Sequence, residues 1–320
     1  MDKDVTILIL SYNPIFARLL LTVNSALMQK GVSIEIIIAD DGSKNNLFDE
    51  LKQHFKEKNF SDYILVANEK NQGTVKNALS GAVKANGQYL KMIGVGDCLI
   101  SETILRDWVD RIRSEKAVVS FGKHAAFRYD RFGKIEIFKR LLEPQNIVKF
   151  EKGGQYLRED YLLFNDLCCG AAVLGEAETL IRYLKIIEGK IIYGEDQIYR
   201  LMTYKNEKTD FYNKDVIFYE CGDGVSTSSE KWQVILRNEW SKTNDILLSW
   251  LDMENDFDRK LYILIKENKE QGIKKLYYKA KRLLCIRGMI LRAIKKRLRK
   301  GYQYTSMEYD EKFIENILKY

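Results

Sequence analysis

Histidine and paired cysteine are scarce in this chain, and their scarcity narrows its chemistry. His54 and His124 are the only histidines, and the five cysteines (Cys98, Cys168, Cys169, Cys221 and Cys285) include no CxxC spacing. A zinc centre is therefore not expected, and an odd scatter of thiols suits a reducing compartment. Only two prolines occur, Pro14 and Pro144, a feature of composition that carries no message about fold. No apolar run approaches the roughly 20 residues that cross a bilayer. The opening MDKDVTILIL is acidic and mixed, and its apolar run is too short for a signal peptide. The expected location is the cytoplasm. Internal repeats and low-complexity segments are missing as well.

What is present is a chain of 320 residues, 46% hydrophobic, with a formal net charge of +7. Its length fits two units, or one large α/β domain with an appendage. Val5 to Leu10 and Ile34 to Ala39 are continuous apolar runs, as strands buried on both faces are. Tyr63 to Ala67 and Tyr89 to Ile93 repeat the pattern. Between them Phe16 to Leu27, Leu47 to Lys56 and Val75 to Val83 carry apolar residues at helical spacing. Strands alternating with helices predict a mostly parallel sheet with helices on both faces. Its loops at Ser11, Asp40 and Asp97 then open on one crevice, where ligands of such sheets bind.

Further along, a helix is predicted from Ser101, with Ser101 as its cap, and a strand over Ala117 to Phe121. Alternation from His124 to Phe138 around Asp130 to Gly133 reads as an antiparallel hairpin. Helical pieces follow over Asn146 to Leu163, then a strand near Ala171 to Leu174, helices from Glu176 and Gly194, and a strand at Val216 to Tyr219. Glu220 to Ser229 is a polar, glycine-rich loop, and after Trp232 helical patterns dominate. This divides the chain into 1–228, an α/β unit, and 229–320, a helical, basic region.

Three carboxylate motifs stand at predicted element ends. Asp40-Asp41-Gly42-Ser43 follows a buried strand. It could hydrogen-bond a base or ribose, or simply make a turn with a helix cap. Asp97 leaves a strand through Gly94-Val95-Gly96. It is placed to hold a cation, a sugar or a phosphate, or to cap the helix near Ser101. Glu195-Asp196 opens a helix, where acids are favoured by the dipole whatever else they do.

VTILILSYN, EIIIADDGS and NQGTVKNALSGAVKANGQYL, in this order and spacing, resemble a family 2 glycosyltransferase of the GT-A fold over about Val5 to Ser228. The resemblance implies a nucleoside diphosphate sugar as donor, UDP-linked, and inversion at the anomeric carbon. It places Tyr12, Asp40 and Asp41 near the base and ribose, has Asn71 and Gly73 shape the donor pocket, and counts Ser11, Asn13 and Asn77 among the donor-binding residues. It makes Asp196 the general base, supported by Glu195, and Asp97 the residue for a divalent cation, Mg²⁺ or Mn²⁺. The family's Asp-x-Asp-Asp motif is here Gly94-Val95-Gly96-Asp97, so one acid remains. That reduction keeps a second reading open, a non-catalytic sugar-nucleotide-binding subunit of a partner transferase. A nucleotidyltransferase ranks last, because no glycine-rich, lysine-containing phosphate loop opens the chain.

Gln197 and Arg200 superficially resemble the QxxRW signature of processive synthases but follow the Glu-Asp pair directly. They are read as helix surface, and transfer of a single sugar is expected. Glu220-Cys221-Gly222-Asp223-Gly224-Val225-Ser226-Thr227-Ser228 resembles the family's late Gly-Val-Ser-Thr loop, which could close over the diphosphate or acceptor or mark a domain boundary. Cys168-Cys169 reads as core packing and His54 as surface. From 273 to 300 the chain carries twelve Lys and Arg and no acid, with Leu and Ile at helical spacing. That pattern fits peripheral contact with an anionic membrane, at the inner face of the plasma membrane. No base-reading motif accompanies it, so nucleic acid is not an expected partner. A lipid-linked or other glycan acceptor in capsule, exopolysaccharide or wall-glycan assembly completes the reading.

Overall fold

The computed structural model describes residues 2–129, 135–138, 144–222, 230–286 and 311–320. The first half alternates as its apolar runs predict: β1 (Lys3–Ser11), α1 (Phe16–Leu27), β2 (Ile34–Asp40), α2 (Phe48–Glu57), β3 (Tyr63–Ala67), α3 (Thr74–Ala82) and β4 (Gly87–Gly94). A short β5 (Cys98–Leu99) and α4 (Ile104–Glu115) follow. Then come β6 (Val119–Tyr129), β7 (Ile135–Phe138), α5 (Ile147–Glu151), α6 (Gly154–Leu163), β8 (Val173–Glu176) and α7 (Ala177–Ile187). A single tight turn over Glu195–Gln197 leads into α8 (Ile198–Tyr204), β9 (Thr209–Glu220), α9 (Glu230–Leu248), α10 (Asp256–Lys269), α11 (Gly272–Cys285) and α12 (Glu311–Lys319).

One sheet runs through the molecule in the order β3-β2-β1-β4-β8-β6-β9-β5, with β7 on β6. The long ladders, β1 with β2, β1 with β4, β2 with β3 and β6 with β9, are parallel. The antiparallel pairs of β8 with β4 and with β6, and of β5 with β9, are two or three residues long. The hairpin is present as β6 on β7, although its turn, 130–134, lies outside the described residues. Register puts Ser11 beside Asp40 and Leu10 beside Gly94, so β1, β2 and β4 end on one line.

Side chains of the central strands alternate between two apolar layers. Leu8, Ile37 and Ala39 pack with α3, α6, α7 and α8, and that layer continues into Ile246 and Leu247 of α9 and Leu261 and Ile265 of α10. Ile7, Ile9, Ile36 and Ile38 pack with α1, α2 and α4, together with Phe313 and Ile317 of α12. Burial on both faces is why these strands read as unbroken apolar runs. The boundary expected at 228 lies outside the described residues. Beyond it α9 and α10 pack into the first layer and α12 into the second, while α11 buries no residue.

Two expectations are corrected here. Ser101 does not cap α4, which begins at Ile104 behind Thr103. Instead Gln29, just beyond α1, bridges the connection, donating to the Ser101 carbonyl at 2.7 Å and accepting the Leu105 N–H at 3.2 Å. His54 is half-buried rather than on the surface. Its Nε2 meets Asn24 Oδ1 at 2.7 Å, and Asn24 Nδ2 donates to the Ile317 carbonyl at 3.3 Å. A helix arriving from the far end of the sequence covers it, which local pattern cannot reveal.

Candidate active site

The crevice forms where β1, β2 and β4 end. Asp40 turns back on its own loop and accepts both the Ser43 N–H, at 2.8 Å, and the Ser43 hydroxyl. Asp41 reaches across to the segment before α3, its carboxylate taking the N–H groups of Gln72 and Gly73 at 2.8 Å each. Hydrogen bonds to an ionised acceptor contribute about 1.5–3 kcal/mol each, so Asp41 fixes that loop firmly. Neither acid caps α2, whose first position is preceded by Leu47. Asn13, with φ 45°, takes Ser43 Oγ on its N–H at 2.6 Å and meets the Lys44 N–H through its side chain at 3.2 Å.

Tyr12 is 54% exposed at the mouth, and Asn71, next to Gln72 in the loop before α3, is exposed as well. Ser11 Oγ is buried and has no hydrogen-bond partner among the described residues. Asn77 is spent inside the fold: its amide donates to the Ala39 carbonyl at 2.9 Å and accepts from Asn68 at 3.0 Å. It braces the end of β2 from α3. Gly73 has φ +89°, and a Cβ there would fall 2.3 Å from Ile192 Cγ2. Glycine is required on both counts.

Asp97 sits just past β4, almost fully buried. Its Oδ1 accepts the Glu220 N–H at 2.8 Å, so it does not cap α4. Burial pushes its carboxyl up to about 7, against the pull of that N–H and of Lys91. Lys91 is wholly buried, donating to the Met92 carbonyl at 3.1 Å and to the Ala171 carbonyl. Burial lowers its ammonium to about 8, and Asp97 opposes the shift. Glu220 brings a second carboxylate from β9, paired with Arg18 at 3.1 Å. It lies directly against Gly96, where a Cβ would come within 1.9 Å of Glu220 Oε2.

A divalent cation here would find Asp97 Oδ2, since Oδ1 is taken. No cluster of three or more His, Cys, Asp or Glu suited to a metal gathers among the described residues. Such a set suits a hard cation held mainly by substrate phosphates and water, as Mg²⁺ often is.

Glu195 and Asp196 stand on the tight turn before α8, across the crevice. Thr74 of α3 bonds to Glu195. Asp196 is exposed to the crevice and backed by Gly170, whose Cβ would lie 2.7 Å from Asp196 Cβ. Crowding by protein and the charge of its neighbour raise the proton affinity of Glu195; desolvation also raises that of Asp196, with Gln197 and Arg200 opposing. The segment Cys168–Ala171 runs between Asp97 and Asp196, and its buried Cys169 thiol feels both charges. The structure thus gathers Asp97, Lys91 and Asp196 around one loop, and Gly73 with Glu195 on the other side.

Gln197 and Arg200, expected on a helix surface, are both buried. Helix α9 covers them: Arg200 donates to Asn244 at 3.1 Å and lies 4.0 Å over the Trp240 ring. Gln197 donates to Asp196 Oδ1 at 3.3 Å. Lys91, Gly170, Glu220 and Glu239 were not visible as site residues in sequence. The one usable signal was a lysine inside the apolar strand Tyr89 to Ile93. Of the late loop, 220–222 are described and 223–228 lie outside the described residues.

The two glycines of the reduced motif should tolerate change very differently. Gly96→Ala meets the Glu220 carboxylate at φ +101°, and is expected to lower unfolding free energy in urea by about 1–3 kcal/mol, as left-handed strain does. Gly94→Ala, with nothing nearer than 3.7 Å, should stay within about 0.5 kcal/mol of the parent. Equal losses would mean the Glu220 contact is not what excludes a side chain.

Comparison with known proteins agrees with this geometry. A crystal structure of S. aureus TarS 1–349 in complex with UDP is similar at TM-score 0.53 and 15% identity, covering 96% of this chain and 97% of that one. The same protein in complex with UDP-GlcNAc matches at TM-score 0.51 and 14% identity, with coverage of 96% and 97%. No curated protein sequence matches the chain. The profile described as Glycosyl transferase family 2 matches residues 6–171, more than half of the sequence and all the strand ends that build the crevice. This protein belongs to glycosyl transferase family 2 and is a glycosyltransferase.

Proposed function

We propose that the enzyme moves one sugar from a nucleoside diphosphate sugar, UDP-linked, to a hydroxyl of a glycan or lipid-linked acceptor, with inversion. The observation that carries this reading is Asp196. It is a carboxylate open to the crevice, fixed against Gly170, with its proton affinity raised by its surroundings. A general base works best when its pKa approaches the working pH. Asp196 takes the acceptor's proton while that oxygen bonds to the anomeric carbon. The bond from that carbon to the diphosphate oxygen breaks, and its electron pair leaves with the nucleotide. Glu195 beside it keeps the local charge negative and so keeps the base basic. The likeness to TarS bound to UDP supports the choice of nucleotide. An intact Glu195–Asp196 pair favours the enzyme over a non-catalytic subunit.

Asp97 Oδ2 would be the protein's contact to Mg²⁺ or Mn²⁺, which when bound neutralises charge on the leaving diphosphate. Asp40 and Asp41, through the loops they hold, shape the donor side. For membrane contact the support is α11: Ile273 is 86% exposed and Leu284 83%, with Lys274, Lys275, Lys279 and Lys281 around them and no acid in the helix. Such a helix can lie in a lipid interface. Among the described residues no helix is long and apolar enough to cross a membrane. The remainder of the basic stretch, 287–300, lies outside the described residues. We place the enzyme at the cytoplasmic membrane face, in cell-surface polysaccharide assembly.

Asp196→Asn should cut kcat by about 10²–10⁴-fold, the usual contribution of a general base, with UDP binding by calorimetry nearly unchanged. In the parent, kcat should fall as acid protonates the Glu195–Asp196 pair, which titrates as a unit above the ordinary carboxylate range. Full activity in Asp196→Asn would overturn the assignment. Asp97→Ala should remove most of the Mg²⁺- or Mn²⁺-dependent gain in UDP affinity. An equal gain in parent and variant would take Asp97 out of the cation's ligands. The protein should float with phosphatidylglycerol vesicles and not with phosphatidylcholine ones. The Ile273→Glu/Leu284→Glu double variant should lose that binding, and retention would move the contact elsewhere.

A further inference from the structure

The residues that lead into the acid pair are held by the helical region. Glu239 of α9 is 3% exposed, and its carboxylate accepts consecutive N–H groups from Ile192 at 2.9 Å, Tyr193 at 2.6 Å and Gly194 at 3.0 Å. Successive amides converging on one point form a nest that favours an anion. Here a side chain from 45 residues further on fills it. From the other side, the Ile192 carbonyl accepts the Val75 N–H at 3.0 Å, and Gly73 presses on Ile192. Gly73 is itself held by Asp41. The segment before Glu195 is therefore gripped between the donor-side loop and α9. Beyond the pair, α9 takes hold again through Asn244 and Trp240 on Arg200.

We propose that Glu239 is a positioning residue for the transfer step, and that α9 is part of the catalytic apparatus rather than an appendage to it. This rests on reading Asp196 as the base. A backbone with three amides tied to one carboxylate cannot drift, so the turn after it presents Asp196 at a fixed depth in the crevice. The donor loop keeps its own anchor in Asp41 when Glu239 is changed, so Glu239 bears on base placement without bearing directly on the nucleotide.

The test is Glu239→Gln in the full chain. Glutamine keeps the shape and one accepting oxygen, and its NH₂ faces the amide that loses its acceptor. Three readouts are taken: UDP affinity by calorimetry, kcat and KM for turnover of UDP-GlcNAc, UDP-glucose or UDP-galactose, and amide hydrogen exchange over 192–196. The expected result is exchange at Ile192 to Gly194 faster by about tenfold or more. UDP affinity should stay within about threefold of the parent, while kcat drops about 100-fold, the effect roughly 1 Å of misplacement can have. A kcat within about threefold of the parent would overturn the proposal. So would parallel loss of UDP affinity and folding, which would make Glu239 a general support. Should the variant fail to fold, the parent decides: amides of Ile192 to Gly194 exchanging as fast as open loops would equally overturn it. A normal Glu239→Gln enzyme beside a dead Asp196→Asn enzyme defeats this inference alone. An active Asp196→Asn enzyme defeats the assignment of the base instead.

Discussion

Buried carboxylates that accept backbone N–H groups hold this molecule's working parts in place. Strand ends and loops leave amides without ladder partners, and an unpaired buried amide is costly. An ionised carboxylate, an acceptor only and with room for several donors, resolves that at a single side chain. Asp41 does so for the loop before α3, and Glu239 for the turn before α8. Asp97 does so for the end of β9, and Glu35 for Asn86 and Gly87 at the start of β4. Each joins segments at least 30 positions apart. Take Asp41, Asp97 and Glu239 away and the crevice would lose its walls, whereas Glu35 does its work at the opposite ends of the strands.

The same device explains the reduced acidic motif. With glycine at 94 and 96 the backbone after β4 turns tightly, and Gly96 N–H is taken by Thr22 of α1 at 2.9 Å. The space that a side chain at 96 would fill holds the Glu220 carboxylate. Negative charge is thus still delivered to this corner, from β9 and not from β4. Lys91 below it and Arg18 beside it keep the corner from accumulating unbalanced charge.

The elements nearest the crevice were legible because burial on two faces writes itself into sequence. Tyr63–Ala67 is found to the residue, and Phe16–Leu27 follows from Leu19, Val23 and Leu27 on one face. The positions of Asp40, Asp41, Asp97 and Asp196 at element ends followed from the same runs. What stayed hidden depends on partners far away. Arg200 looks like helix surface until α9 lays Trp240 over it. Glu239 is one of three acids on a helix of weak pattern. Short β8 was legible as the strand near Ala171 to Leu174, but its bounds, Val173–Glu176, were not, because it joins the sheet through only two or three residues per neighbour. Asn77 sits within a donor-pocket motif, yet its amide serves Ala39 and Asn68.

Helix α12 packs in the apolar layer that also holds α1. Its Ile317 carbonyl meets Asn24 across 293 positions of sequence. Contacts of such separation form late, because the loop they close must be ordered first. Yet α1 is the helix that supplies Thr22 to Gly96, Arg18 to Glu220 and Ser25 to Leu99. On the ribosome the parallel half of the sheet can be made and begin to fold while this brace is still unsynthesised. Docking of α12 then adds a late brace to a helix that the sheet strands already hold, the helix that carries three contacts of the acidic corner.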